Sequence, residues 1–213
     1  MNLFFEEDGS FKAGTVLSQA GNAYQVQLPT GRRTKIKASH SFFEFEQPAP
    51  ADLVTRAQAM VPELDPAFLW EVAPEGEFTY ADLAADYWGS AGPVEKAALL
   101  WALHGNPVYF YRKGRGGYRR APEDILQKAL EALEKKRRLE EQRKAWTAEM
   151  VEGTLPDVIR RNAMTLLIRP DKNGIEWKAL NDASAETRQT PLRLMLSLGG
   201  IASPWRWHVD SFY

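Results

Sequence analysis

Residues 79–120 read TYADLAADYWGSAGPVEKAALLWALHGNPVYFYRKGRGGYRR, and the local signals in this stretch decide the predicted fold. Thr79 is typical of a helix N-cap and Gly89 of a helix end, so the residues between them are predicted to be helical. Pro93 is typical of a first helical position and opens a second helix. β-Branched and aromatic residues then flank a glycine-rich turn, which predicts a β-hairpin.

Two more helical segments come before this stretch. Leu53 and Ala57 have helical spacing after the Pro-Ala-Pro-Ala sequence at 48–51, and residues 66–72 suit a short helix. The resulting order of helices followed by a hairpin is that of a winged helix-turn-helix, which we predict over residues 52–122.

The first 47 residues have a different pattern. Short apolar and alternating stretches are separated by turn sequences, and they lie around 13–17, 23–28 and 33–37. This pattern favours a small antiparallel β-barrel of the SH3-like or OB-like kind at 1–47. A long helix is predicted from Glu123 to about Val151, followed by shorter helices to residue 213. The predicted fold class is therefore α+β.

The last eleven residues are rich in aromatic side chains that no later segment can cover. These side chains are Trp205, Trp207, Phe212 and Tyr213. Large apolar groups without a cover are unusual in a folded protein, so we expect the chain to be truncated before a further domain.

Composition limits the classes of function. The 213 residues are 44% hydrophobic and can bury a core. The chain has no cysteine, which excludes disulfides, thiolate nucleophiles and cysteine-ligated zinc. No apolar run approaches the roughly 18 residues of a membrane span, and the amino terminus has acidic residues where a secretory signal has positive charge. A cytoplasmic protein is the expectation.

The formal net charge of −1 hides a segregation of charge along the chain. No acidic residue lies between Glu95 and Glu123, and the hairpin there carries five cations: Arg112, Lys113, Arg115, Arg119 and Arg120. Such a cluster displaces the counterions of a phosphate backbone, and tyrosines can stack on exposed bases. The candidate stacking residues are Tyr109, Tyr111 and Tyr118. The alternative is a solvated hairpin whose aromatic residues pack on the core, which strand alternation favours for Phe110.

A second basic group lies at residues 33–37. Strand alternation sends Arg33, Lys35 and Lys37 to the same face, where they would form a stripe suited to single-stranded nucleic acid. An ordinary polar outer face explains the same residues equally well.

No catalytic or metal site is predicted. The acidic residues are scattered, whereas magnesium-dependent phosphodiesterases cluster them. The three histidines, His40, His104 and His208, have no metal-ligand spacing. The glycines at 114–117 lack the lysine and the following helix of a phosphate loop.

Three segments give the chain a family resemblance: FFEEDGSFKAGTVL at 4–17, FTYADLA at 78–84 and YFYR at 109–112. They resemble the amino-terminal, non-catalytic region of bacterial exoribonucleases of the RNase II/RNase R family, in the branch that contains a winged helix. The resemblance implies an RNA-guiding role for the basic residues. It also implies a separate catalytic domain that hydrolyses single-stranded RNA from the 3′ end with magnesium, and no residue here matches the aspartate cluster of that domain.

Two other classes remain open. A winged helix often reads duplex DNA, but Gly92, Pro93, Val94 and Glu95 at the start of the second helix offer no base-reading group and include an acid. The chain is alternatively a protein-interaction module that packs against a catalytic domain or another partner.

Overall fold

The computed structural model describes residues 1–203, 205, 208, 209 and 212. The chain contains both helices and antiparallel strands, which confirms the α+β class. It divides into two compact units, Met1–Ala129 and Leu130–Tyr213. The predicted boundary near Pro48 therefore does not separate compact units, and the predicted boundary at 122/123 lies a few residues before the observed one.

The first unit begins with five antiparallel strands. They are β1 (Asn2–Glu7), β2 (Ser10–Ala20), β3 (Ala23–Gln27), β4 (Arg33–Lys37) and β5 (Ser41–Phe45). Their order in the sheet is β4-β3-β2-β1-β5, and a 3₁₀ turn at Ala38–His40 joins β4 to β5. No pairing between β4 and β5 is present in the described part of the chain, so the sheet is open and is not the closed barrel predicted for 1–47.

Strand β1 was not among the predicted strands because both of its faces are buried. Leu3 and Phe5 form a small core with Tyr24, Val26 and Ile36 from β3 and β4. Phe4 points to the opposite face and belongs to the main core of the unit. With consecutive residues buried, the alternation that marks a half-exposed strand is absent from the sequence.

Helices and a second sheet follow. They are α1 (Pro50–Met60), α2 (Pro66–Val72), β6 (Glu77–Thr79), α3 (Tyr80–Trp88), α4 (Pro93–His104), β7 (Phe110–Arg112) and β8 (Gly117–Arg120). The predicted cap is confirmed: the Thr79 hydroxyl accepts from the backbone N–H of Asp82, and the Asp82 carboxylate accepts from that of Thr79. Gly89 ends α3 with a φ of 73°. The unpredicted strand β6 joins the hairpin in the order β6-β8-β7.

The two sheets of the first unit share one hydrophobic core. Phe4, Phe11 and Phe45 from the first sheet pack in the same cluster as Leu99 of α4 and Phe110 of β7. This shared core is why residues 1–47 do not form a unit of their own.

The second unit is helical. The long helix α5 (Glu123–Glu152) is confirmed, and the division between the units falls within it. It is followed by α6 (Asp157–Arg161), α7 (Ala163–Ile168), α8 (Ile175–Thr187) and α9 (Pro191–Ser197). Arg143 of α5 forms a bidentate pair with Asp182 of α8, at 2.6 and 2.9 Å. Thr190 caps α9, with its side chain accepting from Arg193 N–H.

At the end of the chain, Trp205 and Phe212 are exposed, as predicted, whereas Trp207 and Tyr213 lie outside the described residues. Among the described residues, no helix combines the length and the apolar character needed to cross a membrane.

Candidate nucleic-acid interface

The predicted stripe on β4 is present. Arg33, Lys35 and Lys37 are exposed on one face of the strand, while Ile36 is buried on the other. The three cations form no ion pair in the described part of the chain. Alternate residues of a strand are about 7 Å apart, so the stripe presents a row of separated positive charges.

The surface beside the stripe is polar and carries no carboxylate. In the register of the sheet, Lys35 lies opposite Gln25, and Gln25 lies opposite Ser18 of β2. No acidic residue occurs in residues 9–43. This long acid-free segment was a sequence signal for the stripe that the prediction did not use.

The acidic residue Glu7, which binds two neighbours of the stripe residues in β4 and the turn before it, pairs with other groups. Its carboxylate accepts from Arg32 at 2.8 Å, from Lys12 at 3.3 Å and from the hydroxyl of Thr34 at 3.1 Å. Burial opposes the ionised carboxylate, but the hydrogen bonds from Thr34 and Lys12, together with the positive charges of Lys12 and Arg32, hold the pKa of Glu7 below its ordinary value. The Thr34 side chain lies on the opposite face of β4 from the stripe. Among the described residues, Glu7 forms ion pairs with Lys12 and Arg32 and with none of the three stripe residues.

The register of the hairpin separates its residues into two faces. Phe110 pairs with Arg120 and Arg112 pairs with Tyr118, while Tyr111 pairs with Arg119. Residues directly opposite each other in an antiparallel pair point to the same side. Phe110 and Tyr118 are therefore on the core side, and Tyr111 and Arg119 are on the other.

Two of the three predicted stacking tyrosines belong to the core. Tyr118 is 2% exposed, and burial raises its pKa to about 12. Its ring cannot lie on a base in this fold, so the prediction for Tyr118 is wrong. Tyr109 is partly buried and packs against the same core, whereas Tyr111 is half-buried on the outer side of the hairpin and remains the candidate for stacking. The expected burial of Phe110 is confirmed.

The hairpin cations also differ in how far other groups of the protein pair with them. Arg112 binds the Glu6 carboxylate at 2.5 Å. Arg120 lies over the Trp70 ring at 4.9 Å and donates to the carbonyls of Trp70 and Ala73, so its role is structural and its prediction as a binding residue is not supported. Arg119 is exposed, but it lies opposite Glu77 of β6, which reduces the local positive charge.

The remaining two cations lie at the tip of the hairpin. Lys113 is exposed, and its main chain closes the turn through a hydrogen bond from Lys113 N–H to the Gly117 carbonyl, at 2.8 Å. Arg115 donates to the carbonyl of Ala38, the residue after Lys37. The tip is therefore held beside the end of β4.

Glycines determine this turn. Gly114 and Gly116 have φ values of 69° and 66°, which L side chains rarely adopt. A Cβ at Gly117 would collide with the main-chain oxygen of Lys113. The course of the turn depends on the absence of side chains at these positions.

The tip of the hairpin and the end of β4 thus lie side by side at Ala38. We call this surface the basic strip, defined by Arg33, Lys35, Lys37, Lys113 and Arg115. The five residues are exposed, and the strip has two parts that Arg115 joins.

Helix α4, which would be the DNA-reading helix of a winged helix-turn-helix, is covered by the first sheet. The ring of Trp101 makes edge contacts with Phe4 and Phe11, with centroids at 5.3 and 5.7 Å. Phe11 also contacts the ring of His104, at 5.1 Å. Half of the twelve residues of the helix are buried, and the helix also packs against α1 and α3.

The described residues contain no group of three histidine, aspartate or glutamate side chains placed to hold a metal ion. His104 packs on Phe11, His40 is exposed in the 3₁₀ turn, and His208 contacts Phe212 at 5.1 Å.

In comparisons with known proteins, the chain matches no family model, no curated protein and no solved structure.

Proposed function

We propose that this chain binds single-stranded RNA along the basic strip, with little preference for sequence. The observation that carries the proposal is the hydrogen bond from Arg115 to the Ala38 carbonyl, which joins the tip of the hairpin to the end of β4. Five exposed cations on one surface supply a phosphate-binding energy that does not depend on sequence. Tyr111, on the outer face of the hairpin, adds stacking on a base.

We further infer that the first unit combines an open, SH3-like arrangement of five strands with a winged helix. The strand order β4-β3-β2-β1-β5, the 3₁₀ turn before β5 and the small core between β1, β3 and β4 support the SH3-like arrangement. The order α2-β6-α3-α4-β7-β8 and the sheet order β6-β8-β7 support the winged helix.

The burial of α4 favours RNA over duplex DNA as the ligand. A winged helix reads DNA by inserting this helix into the major groove. Here Trp101 packs on Phe4 and Phe11, so the helix would have to leave the sheet before it could enter a groove. A strand with exposed alternate cations suits a flexible single strand, because such a strand can follow the row of charges.

The resemblance to the RNase II/RNase R family suggests what the RNA binding is for. We propose that the basic strip guides RNA toward a magnesium-dependent 3′–5′ exoribonuclease domain that is not part of these 213 residues. The side chains described here do not fit a magnesium site, so the proposal assigns them no step of hydrolysis.

The test is the anisotropy of a fluorescein-labelled oligouridine of about 16 nucleotides, titrated with the chain and competed with duplex DNA of the same length. Single-stranded RNA should bind and should outcompete the duplex at equal ionic strength. The double variant Lys113→Gln/Arg115→Gln should bind more weakly.

The matched control is Lys135→Gln/Lys136→Gln, which removes two exposed cations from α5. Equal losses in the two double variants would assign the binding to net charge and contradict the proposal. Preferential binding of one duplex DNA sequence would favour a DNA-binding regulator, and the absence of any nucleic-acid binding would favour an interaction module.

A further inference from the structure

The central segment of the first unit's sequence carries the opposite charge to the basic strip. Residues 44–95 contain eleven acidic residues and a single basic one, Arg56. This segment covers α1, α2, β6 and α3. The unit is therefore electrically polarised, and a nucleic acid would be repelled from this part of it.

Within the acidic segment, exposed apolar side chains of α2 lie beside partly buried aromatic side chains of α3. Phe68 and Val72 lie one turn apart on α2 and are 47% and 41% exposed. The ring of Phe68 makes an edge contact with Tyr87 of α3, with centroids 6.0 Å apart, and Tyr87 contacts Trp88 at 4.6 Å. These four residues form what we call the aromatic face.

Carboxylates border the aromatic face. Glu71 precedes Val72 and Asp86 precedes Tyr87, and both are exposed. Neither forms an ion pair among the residues that the structure describes. These two negative charges, beside the exposed ring of Phe68 and the partly exposed rings of Tyr87 and Trp88, favour an incoming cation.

We propose that the aromatic face is a docking site for a basic, arginine-containing segment of a protein partner. The partner's guanidinium groups pair with Glu71 and Asp86 and lie over the rings of Phe68, Tyr87 and Trp88, since cations over aromatic faces are attracted to them. The aliphatic stems of the arginines, and apolar residues between them, cover Phe68 and Val72. Charge complementarity selects this occupant: the surrounding acidic segment repels nucleic acid and acidic proteins.

This site is separate from the basic strip, so it does not depend on the proposed RNA binding. The probe is a fluorescein-labelled peptide of eight residues that alternates arginine and leucine, compared with peptides that alternate arginine with serine and aspartate with leucine. We expect the arginine–leucine peptide to bind most tightly and the aspartate–leucine peptide not to bind. The variants Phe68→Ser and Glu71→Gln/Asp86→Asn should each weaken it about fivefold or more.

Control variants carry the same changes at other exposed positions: Leu133→Ser, which is 49% exposed on α5, and Glu131→Gln/Glu149→Gln. They should bind the peptide as the parent chain does. The circular dichroism spectrum and the urea unfolding of the Phe68→Ser chain should match those of the parent, which shows that the variant is folded. Equal binding by parent, Phe68→Ser and Glu71→Gln/Asp86→Asn would overturn the proposal. So would concentration-dependent self-association in sedimentation that Phe68→Ser abolishes, because the occupant would then be a second copy of the chain.

Discussion

The guanidinium of Arg115 donates a hydrogen bond to the main-chain carbonyl of Ala38, which directly follows the last residue of β4. The two basic groups of the first unit are 70 or more positions apart in the sequence, and this contact makes them neighbours. Because a carbonyl acceptor is neutral, Arg115 keeps its full charge while its position is fixed.

The β4 stripe is expected to contribute three phosphate contacts. The triple variant Arg33→Gln/Lys35→Gln/Lys37→Gln should reduce the slope of log K against log salt by about 2, at about 0.7 per contact on a single strand. Anisotropy of labelled oligouridine between about 50 and 200 mM salt gives the slope. The charge-matched variant Lys135→Gln/Lys136→Gln/Lys144→Gln should leave it unchanged, and an equal reduction there would contradict the role of the stripe.

Removing an acid should strengthen RNA binding. Arg112 is neutralised by Glu6 at 2.5 Å, so Glu6→Gln frees a sixth cation next to the basic strip. The salt slope should rise by up to about 0.7, while the free energy of unfolding changes by at most about 1 kcal/mol because the pair is partly exposed. Glu131→Gln, which removes an exposed acid from α5, is the control. Unchanged affinity in Glu6→Gln would mean that Arg112 does not approach the RNA.

The two tyrosines of the hairpin should behave differently. Tyr111→Ala should weaken RNA binding by roughly 1 to 3 kcal/mol at every salt concentration, because stacking releases no counterions. Tyr118→Ala should instead lower the free energy of unfolding by about 3 to 5 kcal/mol, the usual range for deleting a buried aromatic ring. Urea unfolding and anisotropy measured on both variants separate the two effects. A stable Tyr118→Ala chain with weakened RNA binding would contradict the buried position of Tyr118.

Stability should fall at alkaline pH. Burial raises the pKa of Tyr118 to about 12, so the folded chain keeps the phenol proton in a range where the unfolded chain, with an ordinary pKa near 10, loses it. The free energy of unfolding then decreases as the pH rises from about 10 to 12. Tyr118→Phe should show a shallower decrease in urea titrations across this range. Part of the decrease should remain, because burial also raises the pKa values of Tyr24 and Tyr80.

The purified chain should not degrade RNA. With magnesium or manganese present, labelled oligouridine should stay intact, since the described residues bring no three carboxylate or histidine side chains together. Denaturing gel electrophoresis over a long incubation is the measurement. Release of mononucleotides that persists through repurification would show a hydrolytic site in these residues.

The fold was predictable where its signals are local. The Thr79 cap, the Gly89 helix end and the glycine-rich turn depend on neighbours in the sequence, and all three predicted features are present. Strand β1 was missed because both faces are buried, and β6 was missed because it has only three residues and forms by pairing with β8. Closure of the barrel depends on contacts between distant strands, which no local pattern specifies.

The sequence predicted which charged residues belong to the candidate site, but not which of them are exposed and unpaired. Counting cations identified the hairpin, whereas the register decided which of them are available. Pairing Arg112 with Tyr118 places both toward the core side, where Glu6 binds the arginine. The register depends on the length and the conformation of the turn, so the burial of Tyr118 could not be read from strand alternation alone.

At the hairpin tip, the glycines set the path of the main chain and the two long side chains supply the charge. Gly114, Gly116 and Gly117 fix the path of the turn, while Lys113 and Arg115 carry its charge. Shape and charge are thereby encoded by different residues. Exchanging Lys113 therefore changes the charge of the tip but not the path of the turn, whereas exchanging Arg115 also removes the hydrogen bond to Ala38. A side chain at Gly117 would displace the turn itself.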